Sequence, residues 1–348
     1  MKFSNMYGLK SKSVIDALSA DGYDMSNRPD NVYSATEIID APKGKVLFRR
    51  HKDEIVVDVS DNFHMMDGSA VHYAVEMSNL KSEAERLSEE RIFIRIPAKG
   101  KWEAFTLPHE GQIVGQPWYN TEDNFVSVKF DNYEVSDAVI EDYKRTSVWE
   151  TVYGLKESRT QQLNIGAVAL RMIGYPVHGL RACLFLKDWS NKELRAAEGR
   201  GSYYPAIPYK EVDCALWSEE EAKSYISERL SLHVAAKSLK DDEIPHCTED
   251  ERWYRGASFA VMKVGGKIAK KVFKVEGDVT TAEARRQAEI YLADISSDDP
   301  KSKYVIEDRP GQDTRCYGDK VYCSCRQWCH YWKEKYSSLV VGAAESEY

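Results

Sequence analysis

The sequence predicts an α/β fold in which a mixed sheet lies between helices. Three observations carry that prediction. Helix-like and strand-like periodicities follow one another as helix, helix, several strands, a hairpin, helix, strand and helix. A strand-like run ending near Asp131 is separated by a polar turn at Ser136-Asp137 from a second run beginning at Ala138. Four of the seven cysteines crowd into the fourteen residues from Cys316 to Cys329, apart from the αβ pattern.

The elements follow in order. Ser34 with Glu37 three residues on makes a capping box that opens a helix. The stretch Asp67 to Glu76 reads as the start of an amphipathic helix with Asp67 at the N-cap, and His72 and Glu76 share one of its faces. In the hairpin, a turn centred on Ser136-Asp137 sets Asp131 opposite Asp142, and cross-strand Cβ atoms lie roughly 4.5–5.5 Å apart. Lys144, two residues past Asp142, falls on the same strand face. Glu157 to Ile173 has helical periodicity and carries Gln162. Val177 to Leu186 reads as a buried strand, Ser218 to Ala235 as a long amphipathic helix, and the polar run Asp294 to Pro300 as a mobile loop.

Two acids and a lysine on one sheet face suit metal-assisted phosphodiester hydrolysis. Asp-x-Lys alone is common on solvated strands, and a lone helical histidine is more often a hydrogen-bonded structural residue. Here the order and spacing of His72, Asp131, Asp142 and Lys144 count for more than any one of them. The set resembles the PD-(D/E)XK nuclease superfamily, and the Gly68-x-x-x-His72-x-x-x-Glu76 stretch resembles motif I of its RecB-like branch. With the cysteine tail, the pattern over roughly residues 30 to 330 looks most like the RecB-like exonucleases of bacteriophages. That resemblance implies a restriction-endonuclease-like core. It also implies one or two Mg²⁺ or Mn²⁺ ions held by His72, Asp131, Asp142 and the Tyr143 carbonyl, with Lys144 as a catalytic group. Glu76 and Gln162 would support them. The family's Gln-x-x-x-Tyr motif is broken, because Gly166 stands at the tyrosine position.

An odd cysteine count behind an N-terminus (Met1 to Lys12) without an apolar core argues for a metal site over a disulfide framework. Thiolates select zinc or iron–sulfur clusters. Several RecB-like nucleases hold a four-cysteine [4Fe–4S] cluster. The phage-like ones use a Pro-x-Cys-Thr cysteine, which Pro245-His246-Cys247-Thr248 matches. The resemblance therefore implies Cys247, Cys316, Cys323 and Cys329 as ligands, with Cys325 spare. A closed Zn²⁺ site, with His246 and His330 nearby, is the alternative. Cys183 reads as a small buried hydrophobe.

Three regions are expected: an N-terminal extension over 1–30, the nuclease core over 31–236, and a C-terminal region over 237–348. The last holds a lysine-rich hairpin and the cysteine site. No apolar run approaches the ~20 residues of a membrane span, so a soluble, cytoplasmic protein is expected, in a bacterial host if phage-encoded. A net charge of −8 sits awkwardly with DNA binding. A basic cleft within an acidic exterior resolves this, with Lys263, Lys267, Lys270, Lys271 and Lys274 as first candidates and Arg49, Arg50 and His51 as second. The same lysines equally suit a solvated edge hairpin. The expected function is a metal-dependent DNA exonuclease, with a recombinase or single-strand-binding protein as the implied partner. A catalytically silent binding or interaction module on the same fold is the alternative.

Overall fold

A computed structural model describes residues 2–19, 28–79, 81, 85–106, 121–318 and 321–344, the last seven without side chains. The strands are β1 (Lys2–Ser4), β2 (Val32–Ser34), β3 (Val56–Asp58), β4 (Arg86–Ser88), β5 (Arg91–Ile96), β6 (Glu103–Thr106), β7 (Asn124–Lys129) and β8 (Asn132–Glu134). They continue with β9 (Val139–Thr146), β10 (Gly179–Leu186), β11 (Tyr209–Cys214), β12 (Tyr254–Arg255), β13 (Ser258–Lys263), β14 (Ala269–Lys274), β15 (Tyr304–Arg309) and β16 (Gln312–Asp313). The helices are α1 (Lys12–Ser19), α2 (Ala35–Ile39), α3 (Pro42–His51), α4 (Phe63–Asn79), α5 (Trp149–Tyr153), α6 (Glu157–Met172), α7 (Asn191–Arg200), α8 (Glu219–Ser238), α9 (Thr281–Asp298) and α10 (His330–Ala344). Among the described residues, no helix is long and apolar enough to cross a membrane.

The chain is mixed α/β and divides into two compact units, one of residues 1–42 and 52–235, the other of 43–51 and 236–348. The first unit includes the N-terminal segment, whose β1 pairs in parallel with β3. Its strands form two mixed sheets where one central sheet was expected. A five-stranded sheet runs β11-β10-β9-β8-β4, with only β9 and β10 parallel, and a four-stranded sheet runs β2-β7-β5-β6, with only β2 and β7 parallel. A bend at Phe130-Asp131 divides them, because it passes the chain from β7 in one sheet to β8 in the other.

Helix α6 is buried from Leu163 through Leu170, since eight consecutive small or apolar residues broken only by Asn164 leave it no polar face there. A Cβ at Gly166 would meet Ile140 of β9 at 3.7 Å and Val128 of β7 at 3.9 Å. The helix therefore crosses both sheets at their junction, and its Gly166 position belongs to the core. A phenol ring at this position would need room now filled by two β-branched side chains.

The capping box at Ser34 forms, with Ser34 Oγ accepting from the Glu37 amide at 3.1 Å. Asp67, expected as an N-cap, lies one turn inside α4. The actual start is set upstream, where Asp58 caps a 3₁₀ turn over Val59–Asn62 that runs straight into the helix. Asp67 instead accepts from Arg145 at 2.8 Å.

The second unit contains an antiparallel sheet, β14-β13-β15, covered by α9 around Phe259, Val261, Phe273, Ala284 and Ala288. The segment expected as a mobile loop from Asp294 is the last turns of α9. Ile295 anchors it in this core, and Ser297 donates to the Ala293 carbonyl at 3.0 Å.

The Gly166 contacts give a direct test. Gly166→Ala should be neutral or stabilising by up to about 1 kcal/mol, from helix propensity at ordinary contact distances. Gly166→Tyr should cost about 1–3 kcal/mol by overpacking. Urea unfolding midpoints at constant m-value measure both.

Candidate functional site

The hairpin register places the site. Asn132 pairs with Glu141 and Glu134 with Val139 around a turn over 135–138, so one step further Asp131 stands opposite Asp142. Asp131 Oδ2 accepts the Tyr143 amide at 2.6 Å, which locks the carboxylate onto β9. Lys144 shares the Asp142 face of β9, and its Nζ reaches Asp142 Oδ1 at 2.5 Å and Asp131 Oδ2 at 3.8 Å. Gln162, from α6, donates to the same Asp142 oxygen at 3.3 Å. Helix α4 delivers His72, whose Nδ1 lies 3.3 Å from Asp131 Oδ1, with its ring edge toward Tyr143. The five side chains His72, Asp131, Asp142, Lys144 and Gln162 thus form one connected cluster.

A sixth member, Glu89, was not read from the sequence. The β4–β8 register sets Ser88 opposite Asn132, so Glu89 stands opposite Asp131. Its amide donates to the Asp131 carbonyl at 3.3 Å, its side chain lies 3.8 Å from His72 Nδ1, and Lys129 holds it at 2.5 Å. Glu89 has φ +57°, a left-handed conformation costly for a side-chain-bearing residue. Among the described residues, His72, Glu89 and Asp131 are the one group of three whose ligand atoms all lie within 4.8 Å of one another. The available signal was the acidic pair Glu89-Glu90 wedged between two strand runs. Tyr143 contributes its amide and ring edge here, and its hydroxyl donates to Glu141 at 3.2 Å. Glu76 lies half-buried on the His72 face of α4.

The electrostatics follow from these contacts. Hydrogen bonds to Asp131 and then Glu89 raise His72 to about 10. Burial pushes Asp131 upward, but Lys144 and His72 outweigh it and hold it below the usual carboxylate range. Asp142 is only 3 % exposed, and burial prevails there, keeping it raised despite Lys144. Burial also opposes the charge on Lys144, yet Asp142 and Asp131 more than compensate and raise it.

In the second unit, burial and then nearby charge, Glu251 with Cys329 and Cys323, push Cys247 up to about 12. Burial does the same for Cys316, with Cys323, Asp313 and Cys329 adding to it. Cys247 and Cys316 thus each lie near Cys323 and Cys329. Cys325 is buried and directs its Sγ to the Gly44 carbonyl at 3.5 Å. His246 packs its ring on Tyr331, and His330 pairs with Glu334 at 3.1 Å. Cys183 is buried in the first unit.

The basic candidates separate. Strand β14 is the edge of its sheet and exposes Lys270, Lys271 and Lys274. Arg50, by contrast, is committed to Asp241 at 2.6 Å and to the Lys237 and Leu239 carbonyls. His51 pairs with Asp241 at 2.7 Å and stacks on Trp328 at 4.4 Å. These two are structural fasteners of a helix end, where cations favour the dipole and the last carbonyls.

No protein-family model matches the chain, and no curated protein matches it. One solved structure, described as the crystal structure of SSO0001, is similar over 64 % of this chain and 83 % of its own at 13 % identity, with a TM-score of 0.38. A likeness that weak leaves the argument to the residues themselves.

Because the pKa of His72 is raised by folding, its ion pairing stabilises fully below about 6.5 and is lost as pH rises through about 10. An NMR titration of the ring should find it protonated between those values, and Asp131→Asn should return it most of the way to the ordinary value. An ordinary midpoint in the unsubstituted protein would overturn the pairing.

Proposed function

We propose that this chain is a divalent-metal-dependent DNA nuclease, an exonuclease of the RecB-like PD-(D/E)XK kind. One observation carries the reading. His72, Asp131, Asp142, Lys144 and Gln162, which resemble that family in order and spacing, come from three separate elements and a bend to join in one connected polar cluster.

The donor set suits a hard cation, being carboxylate oxygens with one imidazole nitrogen. Asp142 Oδ2 is buried without a hydrogen-bond partner. A buried acceptor left so costs about 1–3 kcal/mol, more if charged, and a cation would remove that cost. His72, Asp131, Asp142 and Glu89 would hold Mg²⁺ or Mn²⁺, with the Tyr143 carbonyl as a further oxygen ligand. Bound there, the ion would supply an acidified water and offset charge on the phosphoryl oxygens.

The chain's own residues do the rest. Lys144, steadied by both acids, orients the attacking water and offsets the charge that develops on the phosphoryl group in the transition state. Gln162 and Lys144 both hold Asp142 Oδ1 and leave Oδ2 without a hydrogen bond. To hold a metal, His72 would have to be neutral, and binding would release its proton to solvent and free Asp131 and Glu89 of their imidazolium partner.

The cysteines support a [4Fe–4S] cluster on Cys247, Cys316, Cys323 and Cys329. A closed Zn²⁺ site on the same thiols is the alternative. The family resemblance extends the proposal to a recombinase or single-strand-binding partner.

The test is degradation of linear and closed circular duplex DNA with Mg²⁺ or Mn²⁺. Linear DNA should be lost and circular DNA spared, and Asp142→Ala or Lys144→Ala should abolish the loss while leaving the fold intact. Glu89→Gln, which removes one of the proposed carboxylate ligands, should raise the metal concentration needed by at least about tenfold, the lower end of what loss of a mere supporting partner costs. Loss of both DNA forms would make it an endonuclease. Unchanged cleavage in the Asp142 and Lys144 variants would overturn the assignment. No metal-dependent loss in the unsubstituted protein would favour the silent module, to which Gly166 and the net charge of −8 both lean.

A further inference from the structure

Asp313 is a fully buried carboxylate. Its Oδ1 accepts from Arg252 Nε at 3.0 Å. Its Oδ2 accepts from Tyr331 at 2.7 Å, Lys335 at 2.9 Å and Tyr336 at 2.5 Å. Two cations and two phenols converge on one side chain, and charge-assisted bonds of this kind are the strong ones.

Two of these donors, Arg252 and Tyr331, and the backbone around Asp313 lead to the cysteines. Arg252 also donates to the Cys247 carbonyl, and β12 pairs with β16 so that Tyr254 stands opposite Asp313. The Asp313 carbonyl accepts the Cys316 amide at 2.8 Å. Two residues on, the Arg315 carbonyl accepts the Cys323 amide at 3.0 Å. Tyr331 follows Cys329 by two positions, and Trp332 donates to the Cys316 carbonyl at 3.1 Å. All four segments that carry the expected ligands are therefore tied to residues 313–316 by contacts that involve no thiol.

We propose that Asp313 is the positioning residue of the four-cysteine site, fixing Cys247, Cys316, Cys323 and Cys329 in place before any metal binds. The inference rests on the reading of those cysteines as ligands. A framed site of this kind keeps its fold when stripped of metal and refills afterwards, unlike small metal domains that fold only on loading.

The experiment uses the full chain, purified without oxygen. Iron, zinc and acid-labile sulfide are measured first; the metal-free protein is then titrated with Cd²⁺, followed by thiolate charge-transfer absorbance. Asp313→Asn should lose at least about tenfold in bound metal and in cadmium affinity, on the scale of supporting-group substitutions. Tyr336→Phe, which removes one of the donors, should fall between. Cys325→Ser should match the unsubstituted protein, and far-ultraviolet circular dichroism should be unchanged in all three. Full metal content and cadmium affinity in Asp313→Asn would overturn the inference while leaving the cysteine site standing. If the unsubstituted protein holds no metal and takes up no cadmium, the cysteine reading falls, and the inference with it.

Discussion

The pairing register of three short strands is the constraint on which the candidate site depends. Ser88 opposite Asn132 and Asn132 opposite Glu141 fix β4, β8 and β9 relative to one another. One step beyond, Glu89, Asp131 and Asp142 stand in a row across the sheet. A slip of one residue would turn every one of these side chains to the other face. Asn132, itself buried, guards against that slip. Its Nδ2 donates to Glu134 and Glu141 at 3.0 Å each, and its Oδ1 accepts from Ser88 at 3.1 Å. An asparagine with donors and acceptors all engaged has one satisfied arrangement, and that arrangement is the one that aligns the acids.

Three carboxylates in a row repel unless cations are set among them. His72 faces Asp131 and Glu89, Lys129 faces Glu89, and Lys144 spans Asp131 and Asp142. The division is uneven. Asp131 has two cations and a backbone amide and stays ionised, whereas Asp142 is deeper and drifts toward its neutral form. That unevenness follows from the deeper burial of Asp142.

Much of this was legible in the sequence. The hairpin register of Asp131 and Asp142 follows from a turn position and a period of two, and the shared face of His72 and Glu76 from helical spacing, whereas Gln162 was picked out only by the resemblance to a family motif. These are local rules, and they held. The failures were non-local. Glu89 joins the site through pairing between strands and a left-handed backbone that no neighbouring residue announces. Asp67 was displaced from the N-cap by a 3₁₀ turn capped nine residues earlier at Asp58. The polar residues after Asp294 stay helical because Ile295 reaches a core formed by strands on both sides in sequence. Arg50 and His51 resemble a basic patch until Asp241, nearly two hundred residues away, claims both.

The two candidate centres are assembled by the same device applied to different chemistry. In each, a buried polar residue that is not itself proposed as a ligand gathers chain segments far apart in sequence: Asn132 for the hard oxygen donors, Asp313 for the thiols. An apolar residue could fill either space and would add stability from burial. It would not distinguish one register or one docking angle from its neighbours, because dispersion contacts are non-directional whereas hydrogen bonds have angles. A ligand set must hold its geometry within fractions of an ångström, so directional contacts belong beside it, and their desolvation is offset only when every donor and acceptor is met. Both residues meet that condition in large part: Asn132 has both ends of its amide engaged, and Asp313 has both carboxylate oxygens engaged. The unpartnered Asp142 Oδ2 stands out against that background. In a molecule that satisfies its buried polar groups so fully elsewhere in these clusters, the exception marks the place where the chemistry is proposed to occur.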